Sequence, residues 1–405
     1  MLRSMSTAVS SLNLHQSYLD VIANNLANAN TTGYKSSRVV FQNQFSQLIS
    51  AGASSTTTLG GINPTQIGLG ARLGSVTSIF SQGVLQSTKN NLDLAIQGDG
   101  FFIYDEGLTR CFSREASLTL DSGGTLVNSS SGLRIQGWTV DEDGLINANL
   151  PPASIQISTD TARAQATSHV VLGGNLDSAT LTDDTVETTM GVYDSLGVLH
   201  SVTVEFERTD DNSWDWSVTG PTGATGEGTI TFTNGQEPAT TISTAVTCPG
   251  SDGAEATVGM TVDFSSLTML SMDNSVEVTS QDGLPSGTVT DLYISPNDGN
   301  VFLVYSNGIK EHVAQLALAR FTNPSGLISV GNSTYQQGLN SGEAQLGTAN
   351  SGGRGSIASG YIEASNVDMA QEFTNMILAQ RGFQASSRVI TTSDEILQEL
   401  VNLKR

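Results

Sequence analysis

Residues 366–405 read NVDMAQEFTNMILAQRGFQASSRVITTSDEILQELVNLKR, and their periodicity decides how the rest of the chain is read. Alternating steps of four and three residues pick out Met369, Phe373, Met376, Gln380, Phe383, Ser387, Ile390, Asp394, Leu397 and Val401, seven of them large and apolar. The frame one residue later, from Ala370 and Thr374 to Gln398 and Asn402, is mostly polar. An apolar line that narrow predicts a helix with a seam of the coiled-coil kind. Ser365 or Asn366 is placed to cap it, Asp368 and Glu372 sit where the helix dipole favours acids, and Lys404 and Arg405 suit the opposite end. At 1.5 Å per residue the seam runs roughly 45–50 Å, and such a helix needs a partner along its length.

The partner lies at the other end of the chain. Met1, Met5, Ala8, Leu12, His15, Leu19, Ile22, Leu26 and Ala29 follow the same step, and Asn30 to Gly33 stop the helix, since glycine tolerates the left-handed turn that ends one. The expected fold class is mixed and mainly β: two or more β-rich domains inserted between N- and C-terminal helices that form a coiled-coil-like inner domain. A four-three stripe also serves ordinary core packing. These stripes are narrow and flanked by Asn, Gln, Thr and Ser, which favours packing that depends on assembly.

Composition agrees with a β-rich middle. The 405 residues include 42 glycines and only 14% charged residues. The net charge of -22 is concentrated, because 141–290 holds 22 acids against Arg163 and Arg208 alone. An acidic middle argues against nucleic acid and anionic membrane as partners. Cys111 and Cys248 are the only cysteines and have no framework spacing, so two separate thiols are expected. No apolar run approaches the roughly 20 residues of a membrane span, and the N-terminus has no continuous apolar core of a signal peptide. Composition alone therefore suits a cytoplasmic protein.

Between the helices the chain divides into blocks. Residues 36–70 and 345–360 read as extended linkers, 71–145 with 283–344 as a β-rich middle domain, and 146–282 as a β-rich outer domain entered through Pro151-Pro152. Terminal segments 1–35 and 361–405 form the helical domain. Leu92–Ile96 and Phe101–Tyr104 flank Gln97-Gly98-Asp99-Gly100 and read as paired strands.

Chemistry is sparse. Gly68-Leu69-Gly70-Ala71-Arg72-Leu73-Gly74 has stretched dinucleotide-loop spacing, but strand-like alternation follows where a helix is needed. Asp141-Glu142-Asp143-Gly144 resembles the start of a calcium loop, yet Pro152 stands where the bidentate Glu belongs. His15, His169, His200 and His312 are scattered, with no ligand spacing. No catalytic, cofactor-binding or metal-binding residue is expected, and the acid pairs read as solvated surface rather than a glycosidase pair.

Several stretches carry a resemblance. Ala23-Asn24-Asn25-Leu26-Ala27-Asn28-Ala29-Asn30-Thr31-Thr32-Gly33-Tyr34-Lys35 is similar to the N-terminal signature of the bacterial flagellar rod and hook proteins. Leu92 to Phe102, with Gly98, Gly100 and Phe101, resembles their shared strand motif, and Phe112-Ser113-Arg114 continues it. Ser365-Asn366-Val367-Asp368 and Gln380-Arg381-Gly382-Phe383 resemble the family's C-terminus. Val192–Gly197 and Phe321–Leu327 look like the hook branch, the distal rod branch being similar at both ends but shorter. Glu115-Ala116 departs from the Ala-Gly often found there.

The resemblance implies a self-assembling tubular polymer, a universal joint between rod and filament. It further implies rod, hook-cap and hook–filament junction proteins as partners, and export by the flagellar type III machinery without a cleaved signal peptide. It would work outside the cell, as a structural protein and not an enzyme, with no cofactor. The assembly seam would then be Met5, Leu12, Leu19, Ile22, Leu26, Met369, Phe373, Met376, Phe383, Ile390, Leu397 and Val401. The alternatives are a distal rod protein, a secreted β-domain adhesin or binding module, and a hydrolase. A free module predicts terminal helices that pair within one chain.

Overall fold

The computed structural model describes residues 2–55, 59–107, 109–141, 144–220, 224–233, 237–238, 243–249, 254 and 257–402. They form two compact units: Met1–Ile157 with Tyr293–Val301 and His312–Arg405, and Ser158–Leu292 with Phe302–Glu311.

In the first unit, helix α1 (Leu2–Ala27) and helix α2 (Met369–Asn402) pack together and run antiparallel. Three contacts set the register. The Ser11 and Ser386 hydroxyls lie 2.9 Å apart, His15 lies against Gly382, and Asn25 Nδ2 donates to Glu372 Oε1 at 3.3 Å. Asp368 caps α2 by accepting from Ala370 N and Gln371 N at 2.9 and 3.1 Å, a role expected of Ser365 or Asn366. Asn366 is used elsewhere.

A ribbon follows α1. β1 (Ser37–Asn43) pairs antiparallel with β4 (Ala71–Ser78), and β2 (Ser46–Ser50) with β3 (Thr65–Gly68). Residues 71–78, expected in the middle domain, thus belong to this two-stranded arm, because their alternation is matched by 37–43 and not by the later strands. Both faces are largely exposed, and Phe45 is 89% exposed. At its base Phe41 meets Tyr18 of α1 edge-on, at 5.6 Å between centroids.

The rest of the first unit is β-rich. β5 (Leu85–Ser87) pairs with Tyr361–Glu363. β6 (Asp93–Gln97) pairs with β9 (Ala116–Leu120) and with Ser356–Ser359, whereas β7 (Phe101–Asp105) pairs with β8 (Arg110–Ser113) and β11 (Arg134–Thr139). The expected hairpin between β6 and β7 does not form. Gly98 (φ +105°) and Gly100 (φ +144°) redirect the chain, and their carbonyls accept from Arg114 Nη1 at 2.8 and 2.7 Å instead of from a facing strand. β10 (Leu126–Asn128) joins β9 to β11. Phe101, Ile103, Phe112, Trp138, Phe321 and Tyr335 pack as one cluster, with Phe112 edge-on to Phe321 at 4.8 Å.

The second unit contains a five-stranded antiparallel sheet in chain order from Thr185–Tyr193 to Glu237–Pro238. A four-stranded sheet faces it, in which His169–Asn175 runs parallel to Thr257–Thr268. Their inner faces share Val170, Phe206, Trp214, Trp216 and Phe264. Alternation sends Glu187, Glu207, Asp215 and Glu227 to the exposed side. Residues 146–157, expected here, stay with the first unit. Ile155 and Ile157 are buried there, and Ile157 N donates to Gly124 O at 2.7 Å.

Candidate assembly site

Polar residues of the sequence motifs converge at the junction of α1, the ribbon and the segment entering α2. Asn25 is 1% exposed. Its Oδ1 accepts from Ser37 N at 2.9 Å and Tyr34 OH at 3.1 Å, and its Nδ2 donates to Ser37 O at 2.9 Å. Asn366 does the same for the C-terminal side: Oδ1 accepts from Ser36 N at 2.7 Å and Nδ2 donates to Ile79 O at 2.8 Å. Each amide satisfies backbone groups that no strand partner reaches. Gly33, at φ +67°, donates its N–H to Glu363 O at 2.8 Å, and a Cβ there would stand 2.9 Å from Glu115 Cβ. Asn28 bonds Asn24 O at 2.9 Å, closing α1.

Beneath these amides lies a buried ionic centre. Glu363 accepts from Lys35 Nζ at 2.6 Å, Arg114 Nε at 3.0 Å and Gly83 N at 2.8 Å. Lys35 and Glu363 side chains are fully buried, and Lys35 also donates to Ser81 O at 2.7 Å. Burial pulls the Lys35 pKa down, and the Glu363 carboxylate opposes that pull. One carboxylate thus ties the ribbon base (Lys35) and the β8–β9 turn (Arg114, which also holds the β6–β7 link) to the approach to α2 (Glu363). Lys35 and Arg114 stand in the motif stretches, and Glu363 lies outside them. Its signal was a lone acid between apolar strand residues in a charge-poor chain.

The helices present two apolar lines. The least exposed line of α2 runs Glu372, Met376, Ala379, Phe383, Ser386, Ile390, Ser393 and Leu397. It shares Met376, Phe383, Ile390 and Leu397 with the line read from sequence and replaces Gln380, Ser387 and Asp394 by Ala379, Ser386 and Ser393. Small side chains let the helix backbones approach, and a count of large apolar residues passes over them. On α1, Ile22 is buried, Leu12, Leu19 and Leu26 are half-buried, and Met5 is exposed. Met369, Phe373, Ile377, Leu378, Val389, Ile396 and Val401 of α2 are exposed, Leu378 at 63%. Gln380 and Asn24 are exposed too, and Phe101 belongs to the aromatic cluster.

Other chemistry recedes. Gly68 and Ala71 are strand ends joined by a turn, with no helix to receive a phosphate. Among the described residues no group of three His, Cys, Asp or Glu side chains could hold a metal, and no helix is long and apolar enough to cross a membrane. Glu142 and Asp143 lie outside the described residues, as does the Cys248 side chain. Cys111 is a free, buried thiol, its pKa pushed up to about 11 by burial.

A chain whose two ends form one helix pair, with β units inserted between them, defines a class of structural proteins built on paired terminal helices. Comparison with known proteins is specific. Residues 5–35 match the flagella basal body rod protein model, 358–403 the C-terminal model of the flagellar basal body rod FlgEFG proteins, and 159–284 the flagellar basal body protein FlaE D2 domain. The flagellar hook protein FlgE of Borreliella burgdorferi is 35% identical over 443 residues, and that of Treponema pallidum 34% over 464, each alignment covering 100% of both chains. The chain belongs to the family of flagellar hook and basal-body rod proteins. The flagellar basal-body rod protein FlgG of Bacillus subtilis is also 32% identical over 406 residues, 100% of both chains.

Proposed function

We propose that this chain is the structural subunit of the flagellar hook, polymerising into a flexible tube that joins rod to filament. The observation that carries this is the second apolar line on the terminal helices. Intrachain pairing, the mark of a free module, is present, but it uses the small-residue line and leaves Phe373, Ile377, Leu378 and Ile396 facing outward. A face of that kind is covered by another molecule, and a second copy has the matching face. Met5, Met369, Phe373 and Val401 of the expected seam would pack between subunits, while Ile22, Met376, Phe383, Ile390 and Leu397 hold the pair within one. Rod, cap and junction proteins would meet the same helices at the tube's ends, after type III export to the cell exterior. The protein is a scaffold and not an enzyme on this reading. Bending is cheap if outer contacts are polar, since exposed ion pairs are worth about 0–1 kcal/mol.

Full-length relationship to a protein named as a rod component makes the distal rod the second reading. Electron micrographs of purified chain under polymerising conditions test both: hook tubes curve, rods are straight. Leu378→Asp, which changes an exposed residue, should keep the monomer melt and abolish polymer. A wild-type chain that stays monomeric throughout, or a Leu378→Asp chain that polymerises normally, would sink the proposal.

A further inference from the structure

Glu115 is the acid that interrupts the family motif, and neither the helix pairing nor the ionic centre uses its carboxylate. It is 8% exposed and lines a cavity of about 580 Å³ beside the end of α1. The cavity wall is polar, with Asn24, Asn28, Thr31, Tyr34, Ser329 and Asn332 among its lining. Glu115 Oε2 accepts from Asn128 Nδ2 at 3.0 Å and, at 3.5 Å, from Ser130 Oγ. No Lys, Arg or His nitrogen among the described residues lies within ion-pair distance of it. Lys35, on the same wall, is held by Glu363 and Ser81.

A buried carboxylate bonded only to neutral donors lowers stability, because hydration is lost without a counter-charge to replace it. Burial accordingly pushes its pKa up; Asn128 and Ser130 oppose this, and Asp93 adds to it. The arrangement becomes favourable once a cation enters the cavity. The same chain carries candidates. Arg381 and Arg388, two turns apart on α2, are exposed and form no ion pair among the described residues.

We propose that the cavity at Glu115 receives a guanidinium or ammonium side chain from a second copy of this chain, the Glu115 carboxylate serving as its counter-ion. The inference rests on the self-assembly reading and adds to it a charged lock beside the apolar helix contacts.

Glu115→Gln keeps the shape and removes the charge. The critical concentration for polymer should rise at least tenfold, while the monomer at pH 7 melts no lower than wild type. A structural role alone would give the opposite melt. Polymerisation of Glu115→Gln at the wild-type concentration overturns the proposal. If it is accompanied by binding of arginine amide to the wild-type monomer, the cavity belongs to a free cation.

A measurement on the unaltered chain stands beside it, in case the variant folds poorly. With carbon-labelled glutamate, the Glu115 carboxyl should ionise at lower pH in polymer than in monomer, because an arriving cation favours the charged form. The groups facing it within the subunit are Asp93 and Tyr104, with Tyr34 and Lys35 on the cavity wall. An equal or higher pKa in polymer refutes the inference. Failure of the wild-type chain to polymerise at all removes the self-assembly reading with it, a distinguishable result.

Discussion

Replacing Glu363 by Gln should weaken the first unit more than any surface change, and the cost follows from the ionic centre. Its carboxylate accepts from two cations, Lys35 at 2.6 Å and Arg114 at 3.0 Å, with side chains 0% and 4% exposed. The intact set contributes little net stability, since burying charge offsets the attraction. Removing the carboxylate differs, because the two cations stay buried without a counter-charge; such changes cost about 3–5 kcal/mol. For a unit of this size roughly 2–4 °C is lost per kcal/mol, so its transition should fall by about 10 °C. Differential scanning calorimetry of the monomer is the assay, with the second unit as internal control.

The deficit should also depend on pH. Burial lowers the Lys35 pKa, and without Glu363 the lysine loses what opposed that shift. A base whose folded pKa lies below its unfolded value is destabilised while protonated, and stability rises with pH as the folded state releases the proton first. The variant's deficit should therefore shrink as pH rises from 7 toward the ordinary lysine value of 10.5, and Lys35→Met in that background should recover part of the loss. A shift under about 3 °C, or a deficit that grows with pH, would refute the reasoning.

Three further outcomes are expected. Leu378→Ala removes a side chain that is 63% exposed in the subunit. Full burial of Leu is worth about 1.5–3 kcal/mol, so losing some 1–2 kcal/mol on assembly raises the critical concentration roughly 5–30-fold without moving the monomer melt. Ala379→Leu should do the reverse in its primary effect, because Ala379 is 1% exposed. Overpacking costs about 1–3 kcal/mol and should show as earlier proteolysis of both termini in the monomer. Gly33→Ala imposes a side chain at φ +67° with its Cβ 2.9 Å from Glu115 Cβ. The left-handed backbone alone costs about 1–2 kcal/mol, so a urea midpoint equal to wild type would contradict the turn geometry.

The sequence by itself determined the frame: two terminal helices, a β-rich and acidic middle, and motif glycines at turns. These are local properties. A four-three apolar step, a strand alternation or a Gly-Asp-Gly turn is written in a few neighbouring residues. Four of the expected α2 seam residues also fall on the packed line. Tertiary structure decided which line packs within the chain, because close helix approach selects Ala379, Gly382, Ser386 and Ser393 by smallness, a quality that hydrophobic counting scores as nothing. It decided that β6 and β7 part company, since Arg114, adjacent in neither strand, takes the carbonyls of the link. It moved 71–78 into the ribbon and 146–157 into the first unit, as strand pairing depends on partners tens of residues away. It also assembled Lys35, Arg114 and Glu363 from three distant segments around one carboxylate. Their charges are legible one by one, but burial and proximity exist only once the chain has folded.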